Sequence, residues 1–199
     1  MNAHDLDAIV SRHDLNEHPF YLAWRAGTLP PHKLGAYATE YAPFIEAIEA
    51  GWRRVGHGDH ADEEREHARL WGRFRDAVVR SAAPSPAPSC PEAAALVEEA
   101  RRSFADRVES LGALYAFESQ QPSTARSKLD GLRAHYAVDE SATEYFRVHA
   151  GDYGERDELG RLVDALTPAD RERARAACER ACVGMWSALS GILGDCDAA

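Results

Sequence analysis

The sequence predicts an all-α protein, a single bundle of about seven helices. Apolar residues recur at steps of three and four along most of the chain, no stretch alternates apolar and polar residues as a half-buried strand would, and proline and glycine punctuate the periodic stretches. With 199 residues the chain is near the size of one domain, and 45% hydrophobic residues are enough to fill its core, so residues 1–199 read as one unit.

Residues 5–15 form a short amphipathic stretch, and HPFYLAW (18–24) starts another that stops at Gly27, ahead of Leu29-Pro30-Pro31. Residues 31–57 carry the clearest pattern, with Leu34, Tyr37, Tyr41, Phe44, Ile48, Gly51 and Val55 on one stripe. Residues 59–82 read as a further long helix whose apolar face centres on Leu70, Trp71, Phe74 and Val78. APSPAPSCP (83–91) cannot continue it, because proline lacks the amide donor and its ring collides with the preceding turn; it reads as a loop within the domain. Residues 92–121 are helical by pattern up to Pro122. A shorter helix over 123–138 has Ser123 or Thr124 as its cap, Asp139 caps the next to about Leu166, and Thr167-Pro168 opens the last, through Leu193.

Composition removes several classes of function. The formal charge of −10 would repel phosphates, which argues against nucleic-acid and anionic-membrane partners. No run approaches the roughly 18 apolar residues of a membrane span, and MNAHDLDAIV lacks the basic start and apolar core of a signal peptide, so a cytoplasmic location is expected. Cys90, Cys178, Cys182 and Cys196 show no CxxC pairing and read as unpaired thiols, with Cys178 and Cys182 in core packing. His4, His13, His32 and His57 have no inward partner and read as surface residues.

A bundle builds its sites from polar side chains that face inward. On a helical wheel of 59–82, His60, Glu63 and His67 fall inside the apolar arc and Glu64 at its edge; EEREH can equally be a solvated charged turn. Glu118 lies in the middle of the face made by Leu111, Leu114 and Tyr115, where a lone carboxylate needs a metal, a cation or a proton. On 139–166 the inward stripe of Tyr145, His149, Leu159 and Val163 also holds Asp152 and Arg156. Each of these positions alone admits a plain structural role. Inward Glu and His on three helices together favour a metal.

HPFYLAW (18–24), EEREHARLWGRF (63–74), LYAFESQQPSTARSKLDGL (114–132) and EYFRVHA (144–150) resemble, in that order, the haem-oxygenase-like diiron oxidases and oxygenases. Within them the likeness is nearest the branch of p-aminobenzoate synthesis, and more distant to the thiaminase II (TenA) group and pyrroloquinoline-quinone synthase (PqqC). It spans most of residues 15–165. The resemblance implies iron held by Glu64 (or Glu63) and His67, by Glu118 and by His149, with one or two ions and Mn as an alternative metal. It also places Tyr21 and Lys128 in the pocket for substrate and O2, where the aminobenzoate branch uses a tyrosine as its own substrate, and it implies a homodimer. Lys128 is one of two lysines, the other being Lys33.

The last ligand run departs from the family's His-x3-Asp-x2-His. Read without gaps, Tyr153 and Arg156 stand at the Asp and the second His, leaving one metal and letting Arg156 neutralise Glu118. With a one-residue deletion, Asp152 and Glu155 join Glu118 in a carboxylate second site suited to Fe or Mn. Gly151 and Gly154 weaken the helix at that point by about 1 kcal/mol each.

The reading that results is a non-haem iron oxidoreductase that activates O2 against a small organic substrate. Metal ligands are Glu64, His67, Glu118, His149 and Asp152, and catalytic groups are Tyr21, Lys128 and Tyr153. The alternatives are a cofactor-free PqqC-like oxidase and a non-catalytic binding protein with a degenerate metal site. Thiaminase chemistry is disfavoured because no cysteine falls in 91–177, and haem because no basic cluster would meet its propionates.

Overall fold

The structure, a computed structural model, describes residues 3–81, 90–151 and 154–194. Among them there are only helices: α1 (Ala3–Arg12), α2 (Pro19–Arg25), α3 (Pro31–Glu40), α4 (Ala42–Val55), α5 (Gly58–Ser81), α6 (Pro91–Ser103), α7 (Arg107–Glu118), α8 (Gln121–His135), α9 (Glu144–His149), α10 (Gly154–Asp164) and α11 (Pro168–Leu193), with 3-10 turns at Leu15–Glu17 and Glu140–Ala142. The proline-rich segment expected to loop out lies, but for Cys90 and Pro91, outside the described residues, as do Asp152, Tyr153 and Cys196. No helix among the described residues is long and apolar enough to cross a membrane.

Three stretches that the periodicity runs as single helices are broken. Residues 31–57 divide at Tyr41, because Pro43 in the first turn of α4 has no amide to continue the hydrogen-bond ladder. Residues 92–121 divide at 104–106, where the Asp106 side chain accepts from the amides of Val108 (2.9 Å) and Glu109 (3.0 Å) and starts α7 afresh. Residues 139–166 divide after His149, where Gly151 adopts φ +116°, a left-handed conformation that side chains other than glycine rarely take. The α8 start also differs: Gln121 and Pro122 open the helix two residues ahead of the expected cap. Thr167 caps α11 as the sequence implies, its hydroxyl accepting from the amide of Asp170.

Helix α11 packs along α6 and α7, while α4 and α3 pack on α5. The core between them is dense with large rings, among them Trp24, Trp52, Trp71, Tyr37, Tyr145, Phe74 and Phe146, all under 2% exposed. Cys178 and Cys182 are buried in it and unpaired, as expected of core thiols. Helices α7 and α11 cross closely at Gly112, where a Cβ would sit 1.8 Å from the carbonyl oxygen of Ala174. That carbonyl belongs to α11 and cannot swing aside, so the crossing requires glycine.

Gly112→Ala should therefore lower unfolding free energy by about 3 kcal/mol or more, or prevent folding, since the overpacked atom is backbone. Gly72→Ala, where an added Cβ meets nothing within 4 Å, should leave stability unchanged or raise it by up to about 1 kcal/mol. Urea titrations followed by circular dichroism compare the two.

Candidate metal centre

Helix α5 carries Glu64 and His67 one turn apart on its inner face. Glu64 is 1% exposed, whereas the Glu63 side chain is 61% exposed and turns to His60. The wheel centred on Leu70 to Val78 placed Glu63 inside and Glu64 at the edge. The buried face at the N-terminal end of α5 runs instead through Ala61 and Glu64, so Glu64 is the inward carboxylate. His67 Nδ1 lies 2.9 Å from Glu64 Oε1. Burial works against charge on His67, but the hydrogen bond and negative charge of Glu64 outweigh it and raise its pKa.

His149 closes α9, with its ring 4.2 Å centroid to centroid from His67. Its Nδ1 is 2.6 Å from the carbonyl oxygen of Tyr145. A carbonyl accepts only, so Nδ1 carries the proton and Nε2 is left with its lone pair. That Nε2 is buried and has no hydrogen-bond partner, and the same is true of Glu64 Oε2. Burial, and then the neighbouring His67, hold the His149 pKa down to about 3, so the ring is neutral at ordinary pH. Glu64, His67 and His149 offer ligand atoms all within 4.8 Å of one another. A neutral imidazole fixed through its other nitrogen is the usual form of a histidine ligand.

Glu118, the last residue of α7, and Glu155, in the first turn of α10, complete a second set: with Glu64 their carboxylate oxygens also lie within 4.8 Å of one another. Glu118 is 2% exposed, and the Trp52 indole donates to its Oε1 at 3.2 Å. Burial, and next the charges of Glu155 and Glu64, push the Glu118 carboxyl well up; burial and Glu64 push Glu155 up to about 7. With all three carboxylates ionised such a set is unfavourable unless a proton or a cation shares the space.

Arg156 is not that cation. Its Nη2 donates to Asp7 Oδ1 on α1 at 2.8 Å, and Asp7 also accepts from Tyr115 Oη at 2.7 Å. The gap-free alignment, with Arg156 on Glu118, is therefore overturned. Because the chain leaves helical geometry at Ala150 and Gly151, the phase of α10 is reset, and Glu155 rather than Arg156 faces Glu118. Asp152 and Tyr153, expected as ligand and catalytic tyrosine, lie outside the described residues.

Tyr21 and Lys128 come together on the far side of Tyr145. Lys128 is 4% exposed; its Nζ donates to Tyr21 Oη and Tyr37 Oη, each at 3.3 Å, and those hydroxyls are 2.9 Å apart. The rings of Tyr21 and Phe146 lie 4.8 and 5.4 Å from Nζ. Burial lowers the Lys128 pKa to about 7. The cavity they line with Tyr41, Tyr145 and Gln121 leaves about 10 Å³ for the centre of a water molecule, room for about one water. Tyr145 divides this cavity from the metal ligands, its ring 4.4 Å from that of His149. The periodicity places Tyr37 on the apolar stripe of residues 31–57 like any core residue; only the tertiary contact with Tyr21 and Lys128 marks it as part of the cavity.

The sequence model for iron-containing redox enzymes, of haem-oxygenase type, matches residues 46–185. The chain belongs to this family. The matched span includes every described residue of the two carboxylate and histidine sets. A 4-aminobenzoate synthase of Nitrosomonas europaea is 28% identical over 218 residues, covering 94% of this chain and 89% of that protein. A 4-aminobenzoate synthase of Chlamydia muridarum is 28% identical over 210 residues, covering 94% and 88%. Among solved structures, a TenA homologue of Pseudomonas syringae pv. tomato superposes with a TM-score of 0.72 at 17% identity, covering 95% of this chain and 89% of that one. A domain with a haem-oxygenase-like fold from Shewanella denitrificans gives 0.68 at 17% identity over 95% and 89%. This member of the family thus has the haem-oxygenase-like fold that its motifs imply.

Lys128 allows a test of the dry cavity. In the folded protein its pKa of about 7 lies below the ordinary lysine value of 10.5, so between those values the unfolded chain binds a proton that the folded chain does not, and stability rises with pH. Relative to Lys128→Met, the wild type should gain a few kcal/mol from about pH 7 to about pH 10. Urea titrations across that range measure it; a pH-independent difference would mean that the buried amine keeps its charge.

Proposed function

We propose that this chain is a non-haem iron oxidase that uses O2, and that the group it oxidises is a small aromatic one, its own Tyr21. The observation that carries the iron site is the pair of buried ligand atoms, Glu64 Oε2 and His149 Nε2, without hydrogen-bond partners and sharing one space with His67. Glu64, His67 and His149 would hold one ion. Glu118 and Glu155 with Glu64 would hold a second, with hard oxygen ligands that suit iron or manganese. Bound iron supplies the electrons that reduce O2.

The remaining work falls to the protein. The Tyr145 carbonyl holds the Nδ1 proton of His149 and so keeps Nε2 free as a ligand. The Trp52 indole orients Glu118. Lys128, close to half-protonated near neutral pH, can hold or release a proton at Nζ between the hydroxyls of Tyr21 and Tyr37. Tyr21, Tyr37 and Phe146 screen that exchange from bulk water. Room for about one water leaves no space for a separate aromatic substrate beside them. That supports a tyrosine of the cavity as the substrate, in keeping with the name 4-aminobenzoate synthase borne by its relatives.

Glu64→Ala, His67→Ala and His149→Ala should each weaken iron retention about tenfold or more after anaerobic loading with Fe(II), as measured by elemental analysis. Wild-type iron content in all three would show that the site is wrong. Arg156→Gln should keep the full iron content. On exposure of the iron-loaded protein to O2 with a reductant, peptide mass spectrometry should find a change confined to Tyr21. Tyr21→Phe should abolish it, while iron content stays as in the wild type. O2 consumption with Tyr21 intact would point instead to an external substrate.

A further inference from the structure

Outside the buried ligands, the same two helices carry a second layer of ligand-type side chains. Gly56 closes α4 at φ +94°, and the chain turns through His57 straight into α5. His57 and His60 consequently sit three residues apart, on the side of α5 that faces α10. Glu158, one turn beyond Glu155 on α10, reaches both imidazoles: its Oε1 is 3.0 Å from His57 Nδ1 and its Oε2 is 2.9 Å from His60 Nε2. All three side chains are about a quarter exposed, and His60 and Glu158 line the open cleft above the buried centre.

We propose that His57, His60 and Glu158 form an outer metal site that binds a divalent transition-metal ion of the Fe(II), Mn(II), Co(II) or Zn(II) class. Two imidazoles and a carboxylate, with the remaining positions open to the cleft, are a ligand set that borderline metals take. The ligand atoms already lie within 4.8 Å of one another across two helices, so binding needs side-chain adjustment and no backbone movement. His60 Nδ1 also stands 3.2 Å from Glu63 Oε2 and 3.5 Å from Glu155 Oε1. Three carboxylates thus converge on one histidine. A half-exposed His–Glu pair needs one partner, and its net worth is only about 0–1 kcal/mol; the convergence of two imidazoles and three carboxylates is what a cation site requires. Glu155 belongs to the inner set with Glu64 and Glu118, which makes the ligand atoms continuous from the cleft to the buried centre. Only this continuity rests on the proposed inner iron site; the outer ligand set stands by itself.

The test is anaerobic equilibrium dialysis with Co(II), with visible absorption to report its ligand field. It uses the wild type, the inner-site variant Glu64→Ala/His149→Ala, the outer-site variant His57→Gln/Glu158→Gln, and the combination of all four. The outer-site variant should bind one equivalent fewer than the wild type and keep its circular dichroism. The inner-site variant should retain one equivalent, which the combination should bind at least tenfold more weakly. Equal stoichiometry in the wild type and the outer-site variant would overturn the proposal, and this comparison holds even if the inner-site variant does not fold. If the inner-site substitutions leave Co(II) binding unchanged while the outer ones abolish it, the outer site stands and the inner iron reading fails.

Discussion

Glu64, Glu118 and Glu155 bring carboxylate oxygens within 4.8 Å of one another, two of them on almost fully buried side chains, and the surrounding fold answers that charge. An ionised carboxylate moved out of water loses several kcal/mol of solvation, and like charges at this range add to the cost. Protonation is one relief, and burial with the neighbouring carboxylates pushes the Glu118 and Glu155 carboxyls up accordingly. Two local responses are visible: the Trp52 indole donates to Glu118, and His67 is drawn toward its cationic form by Glu64. The positive side chain nearest in sequence, Arg156, is spent on Asp7 and Tyr115. A bound cation would be a further compensation, and Glu64 Oε2 and His149 Nε2, buried without hydrogen-bond partners, are the ligand atoms open to it.

The site is assembled at helix ends. Glu118 ends α7, His149 ends α9, Glu155 lies in the first turn of α10, and His60 in the first turn of α5. A continuous helix presents one stripe; interrupted helices let four elements point side chains at one volume. The interruptions carry a conformational cost, met by Pro122 at the start of α8, Gly151 with its positive φ, and Gly56 after α4. Placement at termini also has an electrostatic sense, since a carboxylate at the N-terminal end of α10 sits at the positive end of the helix dipole.

Periodicity was enough to place Glu118 and His149 on inward faces, because each ends a helix whose preceding turns, Leu111 to Tyr115 and Tyr145, set the apolar face up to that point. It was almost enough on α5, where the choice between Glu63 and Glu64 turned on which end of a 24-residue helix sets the face. It failed between Glu155 and Arg156, because a wheel assumes unbroken helix and the chain breaks after Ala150. Tyr21 and Lys128 were legible only through resemblance to the family. Their partner Tyr37 has the spacing of an ordinary core residue, and the cavity that distinguishes it comes from α2, α3 and α8 meeting. His57 read as a surface residue for the same reason: its partner Glu158 is on α10, and no local pattern records a contact across that distance in sequence.

Tyr145 and Gln121 separate two environments with opposite rules for charge. On one side Lys128 stands among aromatic rings, and burial lowers its pKa to about 7, so positive charge is disfavoured there relative to water. On the other side carboxylates and imidazoles crowd an open cleft, so its stable state includes positive charge. A metal ion entering the molecule is drawn to the cleft and has no anionic ligand in the tyrosine cavity. A phenol or amine in that cavity meets no ion directly and little water. The separation is one ring thick, because Tyr145 touches His149 on one face and lines the cavity with the other. One ring, that of Tyr145, thus stands between the candidate ligand atoms and the cavity of Tyr21 and Tyr37, and it keeps the solvent of the cleft from their hydroxyls.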